Sequence, residues 1–130
     1  MPSLFTRIIN GEIPAHKVAE DDQYLAFLDI QPLAEGHTLV IPKTEVDYVF
    51  DLDDDTLAGL MLFAKRLAPA IQAACPCLRL GVSVIGLEVP HAHVHLIPMN
   101  SMQDVNFSRP KLKQTPEQLA ATAKRIRDQL

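Results

Sequence analysis

The chain has 130 residues, 48% of them hydrophobic and 22% charged, and this size and composition predict one globular domain with a single core. Twelve basic and sixteen acidic side chains give a net charge of −4, which argues against a general affinity for nucleic acids. No apolar run has the length of a membrane span, residues 1–14 lack the hydrophobic centre of a secretory signal, and two cysteines are too few for a disulfide framework. We therefore expect a cytoplasmic protein that binds neither nucleic acids nor membranes.

Three strands are predicted in the first part of the chain. An extended pattern over residues 16–30, interrupted by the polar run at residues 20–23, predicts two strands joined by a tight turn. The β-branched apolar stretch at residues 38–41 predicts a third strand. Pro42 ends it, because proline has no N–H to donate to a central ladder.

A long amphipathic helix is predicted next. Asp53, Asp54 and Asp55 precede apolar residues that repeat at three- and four-residue intervals as far as Ile71. The aspartates are also a conceivable metal site, but acidic residues at a helix N-terminus complement its dipole, and we prefer that interpretation. Pro69 is expected to kink or locally disrupt the helix.

The second half of the chain predicts a hairpin, an arm and a closing helix. Residues 78–85 and 92–98 are extended segments that we expect to pair, and residues 100–114 are a polar stretch with no clear period. Residues 115–118 supply an N-cap, a proline at the first helical position and a capping-box glutamine, so a helix is expected from there to about residue 129. This order predicts an α+β fold with a mainly antiparallel sheet, one long helix and a C-terminal helix.

Three histidines alternate with apolar residues at His91, His93 and His95. Because successive side chains of a strand point to opposite faces, the three imidazoles are expected on one face, with His93 in the centre. A single strand histidine is more often structural, and alternating strand histidines can also bind zinc. Three in register favour a reactive site, and the sequence offers few further metal ligands nearby in pattern.

The stretch His91-Ala92-His93-Val94-His95-Leu96-Ile97 resembles the signature of the histidine triad (HIT) family, in which three alternating histidines precede two apolar residues. Residues 4–15, 26–30 and 36–43 resemble, in the family's order, its N-terminal segment, its nucleoside-binding hairpin and the strand that follows. Together these segments cover roughly residues 3–99, which is far more specific than one short motif.

The resemblance implies a single HIT domain over residues 1–130, with its core at roughly residues 3–99 and a C-terminal arm and helix at residues 100–130. It also implies a homodimer and no cofactor. A domain of this size with apolar strands gains buried surface by pairing, and we expect the interface to use the long helix and the strand at residues 78–85.

For the chemistry, the resemblance implies that His93 is a nucleophile that attacks the α-phosphorus of a nucleotide and forms a transient nucleotidyl-histidine. His91 and His95 would orient it and bind phosphate oxygens, and His37 would support the triad. About three quarters of a free imidazole, with its pKa of ~6.5, is neutral at pH 7, so a nucleophilic nitrogen is available without unusual tuning.

The resemblance also implies a nucleoside-binding region, in which Asp29 receives the ribose hydroxyls. A carboxylate with two acceptor oxygens suits a vicinal diol, although a turn-capping role before Pro32 is a fair rival. Seven apolar residues match the base pocket, and without the family they would be interpreted as strand core. They are Leu4, Phe5, Ile8, Ile13, Phe27, Ile30 and Leu39.

Two departures from the family pattern bear on function. Many bacterial relatives hold a structural zinc with an N-terminal Cys-x-x-Cys and downstream histidines, but here the matching residues are Ser3, Thr6 and Glu45, so we predict no structural zinc. The loop before the triad, residues 84–90, lacks the usual asparagine and glutamine. It carries Glu88, whose negative charge is expected to weaken phosphate binding or to favour a cationic leaving group.

Two functions remain open on these residues. The complete triad favours a hydrolase or transferase that acts on a nucleoside phosphoramidate, a mixed anhydride or a dinucleoside polyphosphate. The altered loop favours a purine-nucleotide-binding regulatory module with little or no turnover. In both cases the expected partner is a purine nucleotide or a nucleotide conjugate.

Overall fold

One five-stranded antiparallel sheet forms the centre of the computed structural model, which describes residues 2–130. Its strands are β1 (Lys17–Glu20), β2 (Tyr24–Leu28), β3 (Thr38–Pro42), β4 (Arg79–Ser83) and β5 (Val94–Met99). Their order across the sheet is β1-β2-β3-β5-β4, so β1 and β4 are the edge strands. The third strand and both predicted hairpins, β1 with β2 and β4 with β5, are confirmed.

Three α-helices are described, and one of them was not predicted. They are α1 (Leu4–Ile9), α2 (Asp54–Ala74) and α3 (Pro116–Arg127). The first is too short to show a helical period in the sequence, although the side chain of Ser3 accepts the N–H of Thr6 and caps it. The capping box of Thr115 and Gln118 at the start of α3 is confirmed. None of the helices in residues 2–130 combines the length and the apolar character that a bilayer span requires.

Helix α2 continues through Pro69, so any local disruption at the proline does not end the helix. A proline leaves the carbonyl four residues earlier, that of Lys65, without its usual N–H donor. Both residues are exposed, so water can bind that carbonyl instead. The three aspartates are used as the dipole argument predicted, since Asp53 caps the helix through the N–H of Thr56 and the next two lie in its first turn.

The sheet is covered on both faces, which explains why β2 and β3 are buried along their whole length instead of alternating. On one face, apolar residues of α2 and α3 pack against the strands in the larger hydrophobic cluster. On the other face lies a smaller cluster beneath α1, which we call the α1-side cluster. It consists of Phe5, Ile8, Leu25, Phe27, Leu39 and Ile41.

The segment between β5 and α3, residues 100–115, returns across the α1 side of the sheet. It begins with a short 3-10 turn at Met102–Val105 and is irregular after that, as expected of a loop or arm. The N–H of Leu112 donates to the carbonyl of Pro32 at 2.8 Å, which ties the arm to the loop between β2 and β3. This tie brings the arm to the end of β5 that carries the histidines.

Candidate active site

The three alternating histidines lie where the chain enters β5. Only His95 belongs to the strand, because the pairing of β5 with β3 begins at Val94, opposite Val40. His91 and His93 lie in the extended segment just before it, so the expectation that a single strand carries all three is wrong. All three are buried, with exposed fractions of 0%, 6% and 7% in chain order.

The predicted sharing of one face nevertheless holds. The ring centroids of His93 and His95 are 4.9 Å apart, and the ring of Phe5 lies 5.0 Å from His93 and 5.8 Å from His91. The intervening residues Ala92, Val94 and Leu96 belong to the cluster on the helix side. The triad is therefore presented on the α1 side of the sheet, beside the α1-side cluster.

His93 has one ring nitrogen fixed and one available. Its Nδ1 lies 2.7 Å from the backbone carbonyl oxygen of His91, and a carbonyl can only accept, so Nδ1 carries the proton and donates it. In the neutral ring, the other nitrogen, Nε2, then carries no proton and presents a lone pair. This is the form that a nucleophile requires.

A chain of hydrogen bonds sets the protonation of His95. The backbone N–H of Leu33 donates to Nδ1 of His37 at 3.0 Å, so the proton of that ring must be on Nε2. Nε2 of His37 lies 2.9 Å from Nδ1 of His95 and donates to it. The proton of His95 is consequently on its own Nε2, where it can donate to a substrate. We call this chain the Leu33–His37–His95 relay.

Burial keeps both histidines of the relay neutral. It lowers the pKa of His37 to about 3, with the neighbouring His95 adding to the effect, and it lowers the pKa of His95 to about 4, with His93 adding to it. A protonated His37 would also turn an N–H of its ring against the N–H of Leu33. The relay is therefore a set of neutral donors and acceptors at physiological pH.

The ring of His91 is fully occupied by the protein. Its Nε2 donates to the carbonyl of Pro42 at 2.7 Å, and its Nδ1 accepts the hydroxyl of Ser3 at 2.8 Å. Neither ring nitrogen is left for a phosphate oxygen in this arrangement, and the carbonyl of His91 is what touches the next histidine. His91 thus orients His93 through the backbone.

Ser3, Thr6 and Glu45 meet as a hydrogen-bonded group at His91. The carboxylate of Glu45 accepts the N–H of Ser3 at 2.6 Å and the hydroxyl of Thr6 at 2.6 Å. These two bonds hold the pKa of the Glu45 carboxyl below its usual range. We call Ser3, Thr6 and Glu45 the clasp, because they fasten the start of α1 to the loop after β3 and to the triad.

Asp29 fills the turn-capping role that the sequence left open, and its second carboxylate oxygen lies beside His37. One carboxylate oxygen accepts the N–H of Gln31 at 2.9 Å and caps the turn, whereas the other lies 3.7 Å from Nε2 of His37. Burial raises the pKa of Asp29, and the charge of Lys111 opposes that rise. The carboxylate is therefore next to the relay and partly exposed, within reach of a bound ligand.

Comparison with known proteins identifies the family of the chain. A HIT domain model matches residues 10–102. The adenosine 5'-monophosphoramidase HNT1 of Saccharomyces cerevisiae is 44% identical over 96 residues, which are 73% of this chain and 61% of that protein. The chain belongs to the HIT family. The adenosine 5'-monophosphoramidase hnt1 of Schizosaccharomyces pombe is 33% identical, and the match covers 97% of this HIT protein and 96% of the relative.

Solved structures show the same fold. A HIT-like protein from Bartonella henselae has a TM-score of 0.85 and 33% identity, covering 98% of this chain and 96% of its own. A hypothetical histidine triad nucleotide-binding protein from Sulfolobus tokodaii has a TM-score of 0.81 and 32% identity, covering 96% and 89%. The α+β fold expected from the sequence is thus that of the family.

Most residues predicted for the base pocket of this HIT protein are brought together. Phe5, Ile8, Phe27 and Leu39 are buried members of the α1-side cluster, and Ile13 packs against it. The other two lie apart from that cluster on the surface, since Leu4 is 47% exposed and Ile30 is 67% exposed. As members of a packed core, the buried four can line a base pocket only where their edges reach the surface.

Glu88 lies on the exposed loop before the triad, and its charge acts on Asp29 in the direction that raises the pKa of that carboxyl. Its neighbour Val89 packs against the α1-side cluster. The negative charge anticipated from the sequence is therefore near the nucleoside side of the site.

Two residues of the arm reach the site, and the sequence did not single them out. The ring of Phe107 lies 4.9 Å from that of His95 and 6.2 Å from that of His37. Nζ of Lys111 lies 5.6 Å from the Phe107 ring and donates to the Phe107 carbonyl at 2.7 Å. The available signal was a lone aromatic residue with nearby basic residues in a polar segment directly after the histidine strand.

Asp29, His37 and His95 also form a group that could hold a metal ion, since one ligand atom from each lies within 4.8 Å of the others. A metal at Nε2 of His37 would move the proton of that ring to Nδ1. There it would face the N–H of Leu33, which already points at the same atom. The hydrogen bonds of the relay therefore favour a proton, and not a metal ion, at Nε2 of His37.

Proposed function

We propose that this HIT protein is a nucleotide hydrolase or transferase that acts at the α-phosphorus through Nε2 of His93. The observation that carries the proposal is the bond from Nδ1 of His93 to the carbonyl of His91, which leaves Nε2 as a free lone pair. His95 lies beside it with a proton on the corresponding nitrogen, so a nucleophile and a hydrogen-bond donor are neighbours.

The proposed reaction has two displacements. The lone pair of His93 Nε2 attacks the α-phosphorus, and the bond from phosphorus to the leaving group breaks with its electron pair on the leaving group. The Nε2–H of His95 donates to a phosphate oxygen as negative charge develops there. Water then attacks the same phosphorus and loses a proton to solvent, and the bond from phosphorus to Nε2 breaks with its electron pair on Nε2. This step releases the nucleoside monophosphate and restores His93. A different acceptor in place of water gives transfer instead of hydrolysis.

The names of the two yeast relatives support a nucleoside phosphoramidate as one substrate. A mixed anhydride or a dinucleoside polyphosphate requires the same attack and stays within the proposal. Asp29 is proposed to bind the ribose hydroxyls and the α1-side cluster to contact the purine. We also propose a homodimer and a cytoplasmic location, on the sequence arguments given above.

The second candidate is a purine-nucleotide-binding regulatory module with little turnover. The position of Glu88 favours it, because a negative charge acting on Asp29 opposes the binding of an anionic substrate. Both candidates need nucleotide binding, and they differ only in the covalent step.

The test replaces the nucleophile and measures both turnover and the intermediate. We expect the natural chain to release nucleoside monophosphate from at least one of a panel of adenosine and guanosine phosphoramidates, mixed anhydrides and dinucleoside polyphosphates. His93→Asn should lose turnover by orders of magnitude and keep nucleotide binding, because ribose and base contacts lie elsewhere. His95→Asn and His37→Asn should cost less.

The matched control is His16→Asn, which changes the one histidine outside the site. Mass spectrometry of the quenched natural protein should show one nucleotidyl group, and His93→Asn should show none. Wild-type turnover in His93→Asn would make the nucleophile assignment wrong. Nucleotide binding by the natural chain without turnover on any member of the panel would favour the regulatory module.

A further inference from the structure

The histidine side of the site supplies no fixed positive charge to a phosphate group. In the relay, the N–H of Leu33 occupies Nδ1 of His37, and Nε2 of His37 occupies Nδ1 of His95, so both rings are neutral. Asp29 and Glu88 add negative charge at the part of the site where the ribose is proposed to bind. A cation from elsewhere in the fold would therefore strengthen the binding of an anionic phosphate group.

The arm supplies a lysine at this place. Phe107 packs edge-on against His95, and Leu112 is tied to Pro32 by a backbone hydrogen bond of 2.8 Å, so the segment between them is held against the site at both ends. Lys111 lies within that segment, half-buried, and its charge acts on both Asp29 and His37.

The ammonium group of Lys111 is held by the protein and still has N–H donors for a ligand. Nζ donates one hydrogen bond to the carbonyl of Phe107 at 2.7 Å and lies 5.6 Å from the centre of the Phe107 ring. An ammonium group has three N–H donors, so two are available to an anion. The same ring contacts His95, so the lysine and the triad share one neighbour. A flexible four-carbon stem also lets Nζ move toward a phosphate oxygen.

We propose that Lys111 is a phosphate-binding residue of this site and contacts the anionic oxygens of a nucleotide that lies against the triad. The inference rests on the proposed function, because it requires a nucleotide at His93. It adds that the affinity for the phosphate group comes from the C-terminal arm, whereas the histidines provide the chemistry. The ligand class is a nucleoside phosphate, and a nucleoside without phosphate gains nothing from this lysine.

The experiment compares the binding of AMP and adenosine by calorimetry at one fixed salt concentration. We expect the natural chain to prefer AMP. In Lys111→Gln the affinity for AMP should fall about tenfold, the low end for a hydrogen bond to a charged group, and the affinity for adenosine should not change. Lys111→Arg should keep most of the preference.

The matched control is Lys113→Gln, which removes the same charge two residues further along the arm, from an exposed position. Thermal unfolding should be alike for all variants, because glutamine keeps an N–H donor for the Phe107 carbonyl. If Lys111→Gln retains the full preference for AMP, or if Lys113→Gln loses as much, the inference is wrong while the proposed function stands. If the natural chain shows no preference for AMP over adenosine, this inference is wrong, whereas the proposed function fails only if the natural chain cleaves no member of the substrate panel.

Discussion

At His37 a single backbone N–H, that of Leu33, fixes the protonation of two buried side chains. Sequence resemblance gave His37 a supporting role but not the direction of its hydrogen bonds, which depends on the loop between β2 and β3. Because the donor is a backbone group, no substitution of Leu33 other than proline removes it. The relay thus specifies neutral histidines through the path of the main chain.

The first prediction concerns the pH dependence of stability. The unfolded chain takes up protons on His37 and His95 below pH about 6.5, whereas the folded chain does so only near pKa values of about 3 and 4. The unfolded state binds more protons in this window, so the stability from the neutral relay is complete above pH about 6.5 and is lost as pH falls. For His37 alone the loss from pH 6.5 to 5 is on the order of 2 kcal/mol.

Urea unfolding at pH 7 and at pH 5 measures this loss. His37→Asn should show a smaller difference between the two pH values than the natural chain, whereas His16→Asn should keep the natural difference. An unchanged pH dependence in His37→Asn would contradict the burial of an uncharged imidazole at this position.

At the scale of elements, local patterns decide what the sequence reveals. The aspartates before α2 and the capping box of Thr115 act within one turn, so the starts of α2 and α3 were predicted correctly. Helix α1 has six residues and no readable period, and it is held in place by contacts such as that of Ser3 with His91 across 88 positions of sequence. No local pattern near Ser3 in the sequence indicates such a contact.

The arm residues at the site also depend on contacts that are distant in sequence. The triad was found from its alternating pattern, and Asp29 was found through a resemblance that follows the order of segments along the chain. Phe107 and Lys111 lie in a polar stretch without periodicity, and only the return of the arm places them beside His95. Contacts that depend on a long irregular segment leave no pattern for a sequence-based argument to use.

A second prediction concerns the clasp and zinc. We expect no stoichiometric zinc in the purified chain, because Ser3, Thr6 and Glu45 offer no thiolate or imidazole. Chelators should not change its unfolding. The geometry is nevertheless suited to a metal once the ligands change, since the Ser3 hydroxyl lies 2.8 Å and the Thr6 hydroxyl 3.4 Å from Nδ1 of His91. The bond of His91 Nε2 to Pro42 also fixes the tautomer that a metal needs.

The combined variant Ser3→Cys, Thr6→Cys, Glu45→His is therefore expected to bind one zinc ion per chain, as measured by elemental analysis. Its control carries the same two cysteines with Glu45→Ala and should bind zinc more weakly, because one ligand is missing. Near-stoichiometric zinc in the natural chain would make the prediction wrong.

For the whole molecule, the edge strand β4 is a surface that a partner chain could cover. An edge strand presents unpaired N–H and C=O groups, and proteins usually cover or charge such edges. Val82, within β4, is 55% exposed, and Val84 and Ile85, just after it, are 41% and 46% exposed. On the long helix, Leu62 is 58% exposed. These residues lie on the two elements at which the sequence predicted a homodimer interface.

The last prediction is that the chain is a homodimer that uses the β4 edge. Light scattering at micromolar concentration should give twice the mass of one chain, because pairing would bury the apolar side chains and satisfy the free edge together. Val82→Lys should shift the protein toward the monomer, since a lysine on an edge strand opposes pairing with a second edge. Leu130→Lys, which changes an exposed apolar residue at the chain end, should stay dimeric. A natural chain that scatters as a single chain at this concentration would exclude the dimer, and a dimeric Val82→Lys would place the interface elsewhere.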